Sequence, residues 1–492
     1  MKYIFLLISL CTFNFLQAQV TGVVKDAAGE PIPGANVFWM NTTNGVTTNE
    51  DGNFSIHKPA RSHMLVVSFI GFENDTIHVD KGNQQLDIVL REGVELSEVN
   101  VVTRKLGTMK LRTSVMNEDM ISSAELTRAA CCNLGESFVT NPSVDVSYSD
   151  AATGAKQIKL LGLSGTYVQM MTENIPNFRG AAAPYGLGYV PGPWMQSIQV
   201  SKGSSSVKNG YESITGQINV EFKKPQLPEA DWVSANLFAS STNRYEANAD
   251  ATVKLSKRWS TSLLAHYENE TKSHDSNDDG FVDIPRVEQY NVWNRWAYVG
   301  DHYVFQAGIK ALHETRNSGQ IAHGNTPSHD LYEIGIKTNR YEAFTKNAYI
   351  FDKEKNTNLA LILQGTLHNQ DANYGRKLYD VDQSNFYASL LFETELSKQH
   401  SLSAGLSFNY DGYDQNYRLT NQAEEGLTKK FVKESVPGAY VQYTFNLNDQ
   451  LMLMGGIRGD YSSEYGFFVT PRAHVKYNPN EYLHFRLSAG KG

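Results

Sequence analysis

The chain has 492 residues, 20% of them charged and 41% hydrophobic, with 38 Gly, 26 Tyr and 23 Phe, too apolar and aromatic for a disordered chain. A formal charge of -8 argues against a nucleic-acid binder, whose affinity rests on clustered Lys and Arg. Past the N-terminus no apolar run reaches the ~18 residues of a membrane helix, which leaves membrane-crossing strands open.

Met1-Lys2-Tyr3, the apolar run 4–16 and Gln17-Ala18-Gln19 have the three regions of a secretory signal peptide, with cleavage expected near Ala18 or Gln19. Residues 1–19 are therefore an export signal. Cys11 lies inside it, and the remaining pair, Cys131 and Cys132, is adjacent in the chain and unsuited to stapling distant segments. An exported protein without a useful disulfide needs another source of stability, such as a large sheet.

Residues 20–91 contain short alternating runs (Val37-Phe38-Trp39, Phe54-Ser55-Ile56, Leu65-Val66-Val67-Ser68-Phe69, Leu86-Asp87-Ile88-Val89-Leu90) punctuated by turn residues, which predicts a small β-sandwich. On Gly22-Val23-Val24, Gly29-Glu30-Pro31-Ile32-Pro33-Gly34-Ala35-Asn36-Val37 and Asp51-Gly52-Asn53-Phe54-Ser55-Ile56 the stretch resembles the carboxypeptidase-regulatory-like domain of exported Bacteroidetes proteins. The resemblance implies no catalysis, and His57, His63 and His78 read as surface or strand residues.

Residues 92–116 read as a linker carrying one β-prone run, Val99, Asn100, Val101, Val102 and Thr103. Such a run is either the last strand of the sandwich or a free strand that adds to the edge of a partner's sheet.

Residues 117–225 form a mixed α/β segment: a helix near 122–132, a glycine-rich middle, then two β-runs around a Ser/Gly loop. Ile198, Val200, Lys202-Gly203, Ser205, Gly210, Gly216 and Ile218-Asn219-Val220 resemble the end of the plug domain of TonB-dependent outer-membrane receptors. Two departures stand out: Leu160-Leu161-Gly162 replaces the family's I-R-G, and Glu173-Asn174-Ile175-Pro176 its D-G-x-P, so an arginine contact inside the plug is not expected. The resemblance places 99–103 where the TonB box lies and implies TonB, with its inner-membrane energising proteins, as partner.

From 226 to 492 about thirteen runs alternate with period two, as in Leu402, Ala404, Leu406, Phe408 and Tyr410. Tight turns near 256, 300, 354, 397, 448 and 479 interleave with mostly longer connections at 269–288, 314–331, 369–383 and 413–434, the loop-length parity of an outer-membrane barrel. Trp232, Trp259, Trp293, Trp296, Tyr410 and Tyr461 are expected in its aromatic girdles. Plugged transporters have ~22 strands, so the run ending at Gly492 predicts further strands beyond it. The fold class expected is mainly β: sandwich, plug and part of an antiparallel barrel.

Serine triads, HExxH and P-loops are absent from the sequence, and the chain is not expected to be an enzyme or to require a cofactor. In the connection 269–288, Asp275, Asn277, Asp279, the Phe281 carbonyl and Asp283 follow the oxygen spacing of a calcium loop, although position 12 is Arg286. Against calcium stands a plain acidic turn. Cys131 and Cys132 read as small packing hydrophobes, or with Met170 and Met171 as a soft-metal set. His313, His323 and His329 read as solvent-facing. The resemblance implies TonB-driven uptake of a scarce extracellular solute, with an iron chelate such as a siderophore or haem first. Copper reception, a surface adhesin or assembly barrel, and a passive pore are the alternatives.

Overall fold

The computed structural model describes residues 19–26, 29–40, 45–49, 51–58, 63–69, 75–79, 85–90, 108–110, 114–129, 132–139, 141–225, 232–321, 331–420, 426–447, 450–480 and 483–492. Residues 1–18 of the expected signal peptide, the 99–103 run, Cys131, His323 and His329 fall outside them, while Gln19 opens the first strand. The chain divides into two compact units, Met1–Thr103 and Arg104–Gly492.

In the first unit a three-stranded sheet (Asn53–His57, Gln19–Lys25, Gln85–Val89) and a four-stranded sheet (Gly45–Thr47, Asn36–Trp39, Met64–Ser68, Asp75–His78) enclose one core. Alternation puts Val20, Val24, Val37, Trp39, Phe54, Ile56, Leu65, Val67 and Ile88 inside it.

In the second unit thirteen strands, Trp232–Ala239 to Leu483–Gly490, pair antiparallel, each with the next. Their polarity is the inverse of a water-soluble sheet. Leu263, Ile309, Tyr341, Leu367, Leu406, Ile457 and Leu487 face outward and exposed, while Arg295, Lys310, Glu314, Arg340, Arg458 and Arg472 are buried on the inner face. A lipid-facing wall with a polar interior requires that arrangement.

Two expectations need correction. The connection expected at 369–383 is only the two-residue turn 375–376: Thr357–Tyr374 and Lys377–Ser397 stay in register to the pair Tyr374↔Lys377. Asn369, Gln370, Asp371, Asp380 and Asp382 look loop-like because a strand that rises above lipid has water on its outer face and no longer alternates with apolar residues. Trp293 is likewise not a girdle residue. It is 6% exposed, on the inner face, with its ring 4.6 Å from that of Phe222 in the plug. Three positions separate it from Trp296, which is exposed, and residues three apart on a strand face opposite sides.

Inside the wall lies a six-stranded sheet in the order Ile175–Pro176, Val168–Thr172, Gly216–Phe222, Met195–Lys202, Asn117–Ser122, Thr108–Lys110. A hairpin of Val144–Asp150 and Ala155–Leu160 stands beside it. The expected helix is Ser123–Arg128, and Ser122 caps it by accepting from the Glu125 N–H. At Glu173-Asn174 both residues have positive φ, 51° and 61°, the geometry of a tight hairpin turn, and the Asn219 side chain accepts from the Asn174 N–H at 2.8 Å. Ile121, Leu134, Phe138, Leu160, Trp194, Ile198, Ile218 and Val220 form the core, which Leu264, Trp293, Leu312 and Ile336 of the wall complete.

Candidate functional site in the plug and its wall

The wall strands define two rims. The connections on the rim where the first wall strand begins are short, such as 255–258 and 300–302, whereas 271–285, 320–332 and 419–427 lie on the opposite rim. The opposite rim is thus the one that carries the long connections.

Toward that long-loop rim the plug backbone reverses at Phe178 (φ 53°) and Gly180 (φ 57°). A Cβ at Gly180 would meet the Tyr413 hydroxyl at 2.4 Å, so the close approach to the wall needs glycine. Next to it Arg179 donates to Asn409 Oδ1 at 2.7 Å and pairs with Glu212 of the plug and, at 3.5 Å, with Asp411 of the wall. Burial works against its charge, but Glu212 and Asp411 outweigh burial and hold its pKa above the ordinary arginine value. The Ala181 N–H donates to Gln383 Oε1 at 3.1 Å.

Arg179 and Glu212 border a cavity of about 430 Å³, with Lys156, Gln157, Gln169, Asn177, Phe178 and Met170 also on its walls. Burial, its largest influence, pulls the Lys156 pKa below the ordinary lysine value. Two cations, several amides and one aromatic face surround a space of the size that holds small ligands.

Beyond the cavity, charges on wall strands hold the plug at several points. Arg340 donates to Asn177 Oδ1 at 2.6 Å, and Asn177 Nδ2 donates to Glu342 at 2.9 Å. Arg295 pairs with Glu173, Lys208 with Glu393 at 3.2 Å, and Lys310 donates to the Tyr189 carbonyl at 3.2 Å. Arg472 reaches the carbonyl oxygens of Ser205, Ser206, Gly210, Tyr211 and Ser213 and the Ser205 hydroxyl at 3.0–3.3 Å. None of the wall charges among them stands out in the plug's motifs. The available signal was a charge in the middle of an otherwise apolar alternating strand, which in a membrane wall points inward and needs a partner. The plug arginine that I-R-G supplies elsewhere is absent: Leu161 and Gly162 form a positive-φ turn, and Glu173 takes its arginine from the wall.

The residues singled out in the sequence are not gathered at this cavity. Met170 lines it, but Met171 is fully buried in the sheet and Cys132 lines a separate cavity of about 250 Å³. Burial, reinforced by Glu246, pushes the Cys132 thiol far above its usual pKa, so it is held as a neutral thiol. In the acidic loop, Asp275 accepts from the N–H groups of Asp279 (3.1 Å) and Gly280 (2.9 Å), Asp279 from Phe281 (2.8 Å), and Asp283 from Ser276 (2.7 Å). These carboxylates fold the loop upon itself. Among the described residues no three His, Cys, Asp or Glu side chains form a group able to hold a metal ion. His313 is bonded to Asn339 Oδ1 at 2.8 Å.

The barrel model described as TonB dependent receptor-like matches 199–492, more than half of the chain. The chain belongs to the TonB-dependent receptor family. The receptor's plug matches the TonB-dependent Receptor Plug Domain over 110–217, and residues 20–102 match the CarboxypepD_reg-like domain. It is similar to TonB-dependent receptor SusC of Bacteroides thetaiotaomicron, with 27% identity over 245 residues, 47% of this chain and 24% of that protein. To a TonB-dependent receptor of Formosa agariphila it is 38% identical over 100 residues, 20% of this chain and 10% of that one. The chain thus spans a quarter or less of the length of these curated relatives. Among solved structures it shares its fold with the alcaligin outer-membrane receptor FauA of Bordetella pertussis (TM-score 0.63, 14% identity, 80% of this chain and 67% of that one). A second is the ferripyoverdine receptor of Pseudomonas aeruginosa (TM-score 0.64, 14% identity, 85% and 62%).

Proposed function

We propose that the receptor captures an iron chelate of the siderophore type at the outer cavity of the plug and that TonB, acting on Val99–Thr103, drives its import into the periplasm. The observation that carries this reading is the cavity beside Arg179 and Lys156 on the long-loop side. Ferric ion bound by hard oxygen donors gives compact complexes, often anionic, and half-buried cations with amide donors complement such a ligand. Two solved neighbours, named as the alcaligin and ferripyoverdine receptors, support this class of cargo. Copper is less well supported, because the Cys132 thiol is protonated and Met171 is consumed by the core.

The test is uptake of radiolabelled ferric siderophores by cells carrying the full-length receptor, with and without TonB. Val101→Pro removes an amide donor and blocks strand addition, so it should abolish uptake and leave surface binding intact. Uptake that persists without TonB, or in the proline variant, refutes the energised reading. Saturable uptake of a metal-free solute in place of every ferric chelate refutes the cargo.

A further inference from the structure

Between the plug and the wall strands Arg244–Lys254 to Tyr303–Gly319 lies the cavity of about 250 Å³ that Cys132 lines. Its charges do not balance. Arg244 is shared by three carboxylates, Glu136 at 2.9 Å, Glu246 at 2.7 Å and Glu268 at 3.0 Å. Arg316 pairs with Glu314 at 3.0 Å and lies over the Tyr185 ring at 4.9 Å. Lys156 lies over the Tyr148 ring at 5.5 Å. Glu270 is left. It is 8% exposed and lines the cavity, on the same inward-facing side of its strand as Glu268, with no hydrogen bond or ion pair to any described residue. Four carboxylates, Glu136, Glu268, Glu270 and Glu314, therefore face three cations, Lys156, Arg244 and Arg316, around one small chamber, and Glu246 draws on Arg244 from outside it.

Buried negative charge without a counter-charge is expensive, and a ligand that supplies the missing cation relieves that cost. We infer that this chamber is a second binding site, selective for a small amine-bearing solute whose ammonium group rests on Glu270. The carboxylates are spread around Arg244 and do not converge to hold a bare metal ion. An ammonium needs only one carboxylate and tolerant surroundings. The Tyr148 and Tyr185 rings already face cations, and Phe238 and Ile284 offer apolar contact to a short carbon frame. The inference does not rest on the iron-chelate reading: the two cavities share Lys156, Pro184 and Leu187, but Glu270 lines only this one.

Isothermal titration calorimetry on the detergent-purified full-length receptor decides it, with putrescine as probe, its neutral diol isostere as control and calcium chloride in a third arm. Putrescine should bind saturably and the diol about tenfold or more weakly. Glu270→Gln should lower putrescine affinity by about tenfold or more and at the same time raise the melting temperature, since it deletes an unpaired buried charge. Lys156→Met, which removes a neighbouring cation, should tighten putrescine binding, and it keeps the test open if the Gln variant fails to fold. Equal binding of putrescine and diol, unchanged affinity in Glu270→Gln, weaker binding in Lys156→Met, or calcium binding without amine binding would each overturn the inference.

Discussion

The two flanks of the strand Met195–Lys202 are held in opposite ways. On one side it is followed by the loop 203–215, which is pinned to the wall: Arg472 gathers its carbonyls, Ser206 donates to Gln442 at 2.7 Å, and Lys208 pairs with Glu393. On the other side it pairs with Asn117–Ser122, whose outer neighbour is only the three-residue strand Thr108–Lys110. That edge is the N-terminal side of the plug in chain order. A load applied there meets the pairs Thr108↔Ile121 and Met109↔Met120 first and then Asn117↔Lys202 and Glu118↔Ser201, opening them one at a time, whereas the clamped loop resists as a unit. The difference teaches that the plug is not equally firm throughout: its firmness comes from the wall, and its N-terminal edge carries little of it.

The largest way to break this contrast is Arg472→Ala. It strands five carbonyls, those of Ser205, Ser206 and Ser213 buried, and should cost on the order of 3–5 kcal/mol of plug stability, seen as loss of amide-exchange protection across 203–215, with Arg472→Lys recovering part. Protection unchanged in the alanine variant would remove the clamp. Next is Lys202→Met, which leaves Asp119, 5% exposed and now paired with Lys202 at 2.6 Å, as a buried lone charge. A loss of about 3 kcal/mol confined to 117–122 is expected, and Asp119→Asn in the same chain should restore most of it. If the restoration fails, the pair is not what holds the edge.

A smaller effect concerns pH. Burial raises the Glu118 carboxyl above its ordinary pKa, against the lowering pull of Ser114, Lys208 and Arg486. A carboxyl raised in the folded state contributes stability below its unfolded pKa and loses it as pH rises through the folded value. Exchange of 117–122 should therefore quicken as pH is raised through and above the ordinary carboxylate range, after correction for intrinsic rates, and Glu118→Gln should flatten that dependence. The smallest effect lies outside the plug. If Asp275, Asn277, Asp279, the Phe281 carbonyl and Asp283 take up calcium, EDTA should make the loop protease-sensitive, and Asp279→Ala should do so with calcium present. Equal cleavage in all cases leaves a loop held by its own amides, as at Asp275 and Asp279.

The sequence by itself determined the alternating wall strands, because lipid on one side and water or plug on the other imposes period two residue by residue, as in 402–410. It determined the strand, loop and return of 195–222 through Gly203, Gly210 and Gly216, whose positive φ angles only glycine adopts cheaply. The tertiary structure alone decided which side each wall charge serves and whom it meets. Arg472 with the loop 203–215, Arg340 with Asn177 and Arg179 with Asp411 are separated by 163 to 267 positions, and local pattern carries no information about such partners. It also decided that Cys132 and Met170 border different cavities and that Glu270 is left over. Those outcomes depend on the registration of the plug against the wall, which only close packing of the whole unit sets.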